Sequence, residues 1–407
     1  MRLDSSRLAA AVREDSAIRF DLELQPPGGP IHKVFPPTYP SPREAGRADK
    51  RAAYATEPRL IDGQQVIAVL LDSVPAQANR LEQALLGAHR ADHDPLPLPH
   101  LEVSVPGYGI VTDLDAPHRV YDAILLDSKL EDKPFLQSRL GSQLGAASPS
   151  NATTLFTYAP TALLFGAWNS HAGQRVGAAR FPRALTSEII GWPVLLGVKT
   201  ASRIDPLSIT KSAGEGMYET DDGRWTFDAA HARRDGKNDK PVATKPSEMG
   251  HGNVAPSIER DTGGTSILHA RQIAVLSLVQ LRNLRFPRED GTSLAARDAA
   301  ARAVLAALAL VALLEQWDRG YQLRSGCLLQ PLSRPIWYLC GRTADADTPF
   351  DLDTQGARAL LSQALLDAAG QGLTWPSKPL HLDISSDLKT LVERNRALLA
   401  GTVADEE

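Results

Sequence analysis

Hydrophobic and polar positions alternate with two different periods along this chain, and the changes of period mark its elements. The first residues read as a short amphipathic helix, followed by a strand around Ile18 to Leu24. Gln25 to Pro58 is rich in Pro, Gly and Arg and reads as an irregular arm, free to drape over a neighbouring subunit. Gln65 to Asp72 is a nearly continuous apolar run, consistent with a buried strand. Asp72 and Ser73 are candidate caps, Pro75 suits a first helical turn, and Ala78, Leu81, Leu85 and Leu86 fall at helical spacing through Ala88.

Residues 89–118 are turn-rich, and Val120–Leu130 and Leu136–Leu144 read as helices. Strand pieces follow at about 176–199. Residues 212–264 are polar with little periodicity, apart from a hairpin predicted around Met217 to Phe227 with its turn at Asp222-Gly223. Thr265 to Leu278 predicts a strand. Ser293 to Arg319 predicts the longest helix, Ala-rich and followed by Gly320. Tyr321–Leu329 and Pro335–Cys340 read as strands and Thr354–Ala369 as an amphipathic helix.

Taken from Gln65 to Leu329, the order is strand, helix, two strands, helix, strand, with swollen connections. That predicts an α+β fold of the RRM-like (ferredoxin-like) kind, two helices on one face of an antiparallel sheet. The open face of such a sheet commonly binds RNA.

Composition narrows the partners. The 407 residues carry a formal charge of -4, which argues against a wholly basic nucleic-acid binder. Positive charge is local instead. Phe165–Lys211 holds six Lys or Arg against two acids, and His231–Lys245 holds five against two. Two cysteines suit a reducing cytoplasm and exclude a thiolate framework. The longest apolar run, Ala303–Leu314, spans about half a bilayer, so no membrane partner is expected. The N-terminus lacks the apolar core of a signal peptide.

The stretch Phe165–Gly191 stands out. Its glycines permit close backbone approach, its arginines suit forked phosphate recognition, and Trp168 offers a base a flat face. The first turn of the helix at 76–88 adds Gln77, Asn79 and Arg80 beside free backbone N–H groups. No P-loop, HExxH, GxSxG or CxxC pattern occurs. His89, Asp92, His93 and Asp94 have a metal-like spacing, but Arg90 and Pro95 count against it; no metal, cofactor or catalytic residue is expected. Asp72, Asp113, Asp115 and Asp127 have no spacing that demands a nuclease site, and Asp72 reads as a cap.

Four blocks resemble a known family: LLDSVPAQANRLE at 70–82, FGAWNSHAGQRVGAARFPRALTSEI at 165–189, KPSEMGHGNVAPSI at 245–258 and LSLVQLRNLRFP at 276–287. They are similar to the RAMP-superfamily backbone subunit of type I CRISPR interference (Cascade) complexes, in the divergent subtype U, later G. The resemblance implies an RRM-like palm (about 60–88, 165–200 and 265–330), a finger insertion (about 89–160), a thumb insertion (about 200–264) and a C-terminal extension (331–407). It implies a non-catalytic, cytoplasmic protein that stacks with copies of itself in a helical filament along CRISPR RNA and presents the guide for pairing with target DNA. Its other partners would be a large subunit, a fused capping and processing RAMP subunit, and a recruited helicase-nuclease.

The guide contacts expected on this basis are Arg175, Arg180, Arg183, Lys199, Arg203 and Lys211, then Gln77, Asn79 and Arg80, with Trp168, Asn169 and His171 around the first set. An alternative from another class is a RAMP-type endoribonuclease using its aspartates or histidines such as His89, His93, His171 and His251. A weaker one is a small-molecule hydrolase in the Gly-rich stretch.

Overall fold

The computed structural model describes residues 2–40, 52–168, 180–236, 238–260 and 262–406. The chain divides into two compact units. One comprises Met1–Leu195 and Thr265–Ser385, the other Leu196–Gly264 and Ser386–Glu407.

The first unit is mixed α and β. After helix α1 (Ser5–Glu14), its main sheet has nine strands among the described residues: β1 (Ala17–Gln25), β2 (Thr56–Ile61), β3 (Gln64–Asp72), β4 (Leu185–Leu196), β5 (Thr265–Ser277), β6 (Tyr321–Arg324), β7 (Cys327–Pro331), β8 (Ile336–Cys340) and β9 (Thr348–Phe350). The order across the sheet is β6-β7-β1-β5-β4-β3-β2, with β8 pairing both β1 and β9. The pairings β1–β5, β1–β8, β3–β4 and β2–β3 are all antiparallel. Three long helices belong to the same unit: α2 (Val74–His89), α3 (Ala295–Arg319) and α4 (Thr354–Gly370).

Local chemistry explains these elements. In β1, Ile18, Phe20, Leu22 and Leu24 are buried while the intervening residues are not. Each such side chain contributes about 1.5–3 kcal/mol by leaving water. Ser73 caps α2, its hydroxyl accepting from the Ala76 N–H at 3.3 Å. α3 is the core of the unit. It packs against α1, α2 and α4, and its residues from Val304 to Gln316 are all buried. It ends at Gly320, whose φ of 83° ordinary residues rarely adopt. Among the described residues no helix is long and apolar enough to cross a membrane.

Several sequence expectations are met closely: helices at 74–89, 295–319 and 354–370, strands at 17–25, 64–72 and 265–277, and a short hairpin at Tyr218–Glu219 and Trp225–Thr226. Others are corrected. Gln65–Asp72, taken as the first strand of the six-element order, lies near the sheet edge between β2 and β4. The central position beside β5 belongs to β1, which that order left out.

The Pro-rich arm is tied into its own unit. Val34 is buried and exchanges backbone hydrogen bonds with Thr265, and the Phe35 N–H donates to Gly326. Thr56–Ile61 is a strand rather than irregular chain; residues 41–51 lie outside the described residues. The turn-rich 89–118 segment contains a hairpin, Leu101–Val105 with Gly109–Thr112, joined in parallel by Leu380–Leu382. The predicted Val120–Leu130 helix shrinks to Ala123–Leu126.

In the second unit, Lys199–Arg203 and Val254–Glu259 form an antiparallel two-stranded ribbon. Every residue of both strands is exposed. Ser386–Glu406 is a helix.

Candidate nucleic-acid interface

The Gly-rich stretch enters and leaves as an antiparallel pair. Leu164 accepts from the Ala184 N–H at 2.9 Å, and Ala167 and Trp168 pair with Phe181 and Arg180. The pair presents Trp168, half exposed, with the Arg180 guanidinium 5.1 Å from its ring centre, a cation–π contact. Arg183 is exposed beside them. Asn169, His171 and Arg175 lie outside the described residues. Trp168, Arg180 and Arg183 are thus the part of the expected set that one element brings together.

A buried ion pair holds the root of this element. Arg119 donates to both carboxylate oxygens of Glu82, at 2.7 and 2.9 Å, and to the Gly166 carbonyl at 3.1 Å. Gly166 has φ 83°, and a Cβ there would meet Arg183 Cγ and the Phe181 carbonyl at 3.0 Å. Burial pushes the Glu82 carboxyl up to about 7 against the pull of Arg119. Burial, and then the charge of Arg119, lowers the Arg183 guanidinium. Burial also holds the Asp113 carboxyl well above its usual range. The nearby Glu82 charge acts in the opposite sense to Arg119 on Arg183.

The second predicted cluster divides. Gln77 is fully buried and bonded inside the protein. Its Nε2 donates to Asp72 at 2.7 Å, and its Oε1 accepts from Ser187 at 2.9 Å and Gln272 at 2.8 Å. It is a core residue and leaves the set of surface contacts. Gln272 is itself bonded to Gln316 and Tyr321.

Asp72 is corrected too. Ser73 does the capping, while the fully buried Asp72 accepts from Arg80 Nε at 2.8 Å and Arg324 at 3.2 Å. Two arginines share one acid. Arg80 also donates to the carbonyls of Gln322 and Leu323 and remains part-exposed. Asn79 is exposed.

In the second unit, Lys199 pairs with Glu259 at 3.3 Å, both half exposed, a contact weak enough to exchange for phosphate. Arg203 donates to the carbonyls of His251 and Gly252, at 3.1 and 2.9 Å. Asp205 locks the same turn by accepting from the N–H groups of Leu207, Gly252 and Ile209, which lower its carboxyl. Arg203 is therefore a structural brace as well as an exposed cation. Lys211 is exposed, with no side-chain bond among the described residues. An aromatic group lies on this unit: Trp225 packs edge-on to Phe227 and to His251, with centroids 5.4 and 6.2 Å apart.

The open sheet face is less suited to phosphate than its architecture suggests. Arg59 is held bidentately by Glu188 at 2.9 and 3.0 Å, Arg271 by both oxygens of Asp21, and Arg19 by Asp347 at 3.4 Å. Each of these three arginines already has an acid.

Among the described residues no group of three His, Cys, Asp or Glu is arranged to hold a metal. In the His89–Asp94 segment, His89 turns its Nδ1 to the Leu96 carbonyl at 2.8 Å, and Asp94 meets Arg358 at 3.3 Å. Sequence reasoning missed the Glu82–Arg119 pair and the Gln272–Gln316 network because they join residues distant in sequence.

Residues 18–195 match the model of a protein family described as CRISPR-associated protein GSU0053. The match covers less than half of the chain and supports a Cas protein of CRISPR systems. It contains two of the four blocks noted above, 70–82 and 165–189. No curated protein matches the chain.

Proposed function

We propose that this protein is a non-catalytic backbone subunit of a type I CRISPR surveillance complex. In this reading several copies grip one CRISPR RNA by its phosphates and leave its bases free to pair with target DNA. The observation that carries the reading is the family match over 18–195, which includes the Trp168–Arg180–Arg183 element.

The sheet supports the RRM-like part. With β1 as first strand, α2 as first helix, β4 and β5 as the middle strands, α3 as second helix and β7 with β8 as the last, the order last-first-third-second is that of a ferredoxin-like palm. β2 and β3 are then an added edge hairpin. The exposed ribbon of the second unit corresponds to the thumb, and the short helices and strands between 89 and 160 to the fingers. A two-stranded ribbon exposed on both faces has little stability of its own, which suits an element that packs on RNA or a neighbouring copy.

The phosphate contacts are Arg180, Arg183, Lys199, Arg203 and Lys211, with Arg175 in the same stretch and Asn79 and Arg80 on α2. Trp168 offers a stacking face. A large subunit, a capping and processing RAMP subunit and a helicase-nuclease complete the complex, in the cytoplasm.

The experiment is incubation of purified protein with repeat-containing CRISPR RNA. A backbone subunit retains the RNA intact, and its affinity falls steeply with salt. Cleavage within the repeat, lost on replacing His89, His93, His171 or His251, would establish a processing endoribonuclease instead.

A further inference from the structure

Between the C-terminal end of α3 and the first turns of α2 lies a cavity of about 440 Å³ in the first unit. Its polar lining is Asn79, Arg80, Gln83, Gln316, Arg319 and Gln322, over a floor that includes Ala76 and Ala84. The volume falls in the range of small-molecule sites, roughly 300–1,000 Å³. Of the four carboxamides, Gln83 donates to Asp115, Gln322 to the Arg324 carbonyl, and Gln316 accepts from Gln272, which leaves the two guanidiniums and Asn79 to meet an anion that also carries a hydrogen-bonding edge.

The charges around the cavity do not cancel. Arg80 and Arg324 share the single buried carboxylate of Asp72. Arg319 has no acidic partner among the described residues; it donates to the Gln83 carbonyl at 2.5 Å. The nearest acids in sequence are committed elsewhere. Asp318 accepts from Thr354 at 2.5 Å, and Glu315 is paired with Arg358 at 2.7 Å. Gly87 makes room for Arg319: a Cβ there would stand 2.2 Å from one guanidinium nitrogen, so that end of the group comes close against α2. Asn79, exposed and without a hydrogen bond among the described residues, is left to read a base edge.

The geometry points to a site for one phosphate-bearing nucleotide, its phosphate on Arg319 and Arg80 and its base against Asn79. The ligand is either a free mononucleotide or a nucleotide of RNA. The site shares Asn79 and Arg80 with the guide contacts but does not rest on the filament reading.

The test is calorimetric titration of the full chain with AMP and with adenosine. AMP binds more tightly than adenosine, and Arg319→Ala weakens AMP binding about tenfold, the size of one lost charge-assisted contact. Gly87→Ala gives the same loss by displacing Arg319 while favouring the helix, so a folded variant is available for the comparison. Competition separates the sources. Displacement of AMP by a 5′-phosphorylated oligoribonucleotide but not its 5′-hydroxyl form assigns an RNA end, displacement by both assigns an internal nucleotide, and displacement by neither assigns free nucleotide. No AMP binding at about 1 mM, or binding unchanged in both variants, overturns the site. Guide-RNA retention, measured on the same preparations, reports separately on the filament reading.

Discussion

Arg119→Met tests how the Trp168–Arg180 element is anchored. The substitution keeps most of the side-chain volume and removes three hydrogen bonds, two to Glu82 and one to the Gly166 carbonyl. The orphaned carbonyl alone costs about 1–3 kcal/mol at any pH. The ion pair adds a pH-dependent part. Glu82 titrates near 7 in the folded protein against a reference of 4.5. The native state therefore holds the extra proton between these values. The Glu82 contribution to stability is greatest below 4.5 and falls by about 3 kcal/mol as pH rises to 7, at 1.36 kcal/mol per unit.

Without Arg119 the Glu82 carboxyl rises further and stays protonated, so the fall continues past 7. The gap between wild type and variant then widens by about 1.4 kcal/mol per pH unit above 7. Equilibrium urea unfolding at pH 5.5, 7 and 9 measures it. The expected loss is about 1–3 kcal/mol at pH 5.5 and about 3 kcal/mol larger at pH 9. A loss that is flat or shrinks with rising pH would refute the account of Glu82 and Arg119.

Three further outcomes are expected. Asp72→Ala leaves Arg80 and Arg324 without their acid; because both reach solvent, the loss is about 2–3 kcal/mol in the same unfolding assay, below the cost of a wholly buried orphan. Replacing Arg180 and Arg183 with Ala lowers guide-RNA affinity and reduces the salt dependence of binding by about two phosphate contacts, read from filter binding across salt concentrations, while the fold is kept. Arg203→Ala also raises hydrogen exchange at Gly252, whose turn it braces, whereas Lys211→Ala changes RNA affinity alone.

Much of the element pattern was legible because burial leaves a local signature. The alternation of Ile18, Phe20, Leu22 and Leu24, the apolar run at 65–72 and the stop at Gly320 each need only neighbouring residues to be read. Strand order was less legible. β1 and β3 are both apolar runs beside a helix, and nothing local says which one pairs with β5. The hairpin at 101–112 was hidden by its Pro- and Gly-rich surroundings, although Leu101, Val103 and Val105 alternate.

Residue type singled out Trp168, Arg180 and Arg183, which are exposed, but could not tell a surface amide from a core one. Gln77 looks like a helix N-terminal donor in sequence; only the approach of Ser187 and Gln272 from β4 and β5 makes it a core residue. The open sheet face is similar, since the acids that neutralise Arg59, Arg271 and Arg19 come from other strands or from Asp347.

The central claim is that the chain binds guide RNA as a repeating subunit. Co-expression of the full chain with a CRISPR array, followed by light-scattering mass and absorbance measurement of the purified protein, tests it most directly. The account predicts particles of several 43.9 kDa chains on RNA of uniform length. A single 43.9 kDa species free of nucleic acid would contradict it.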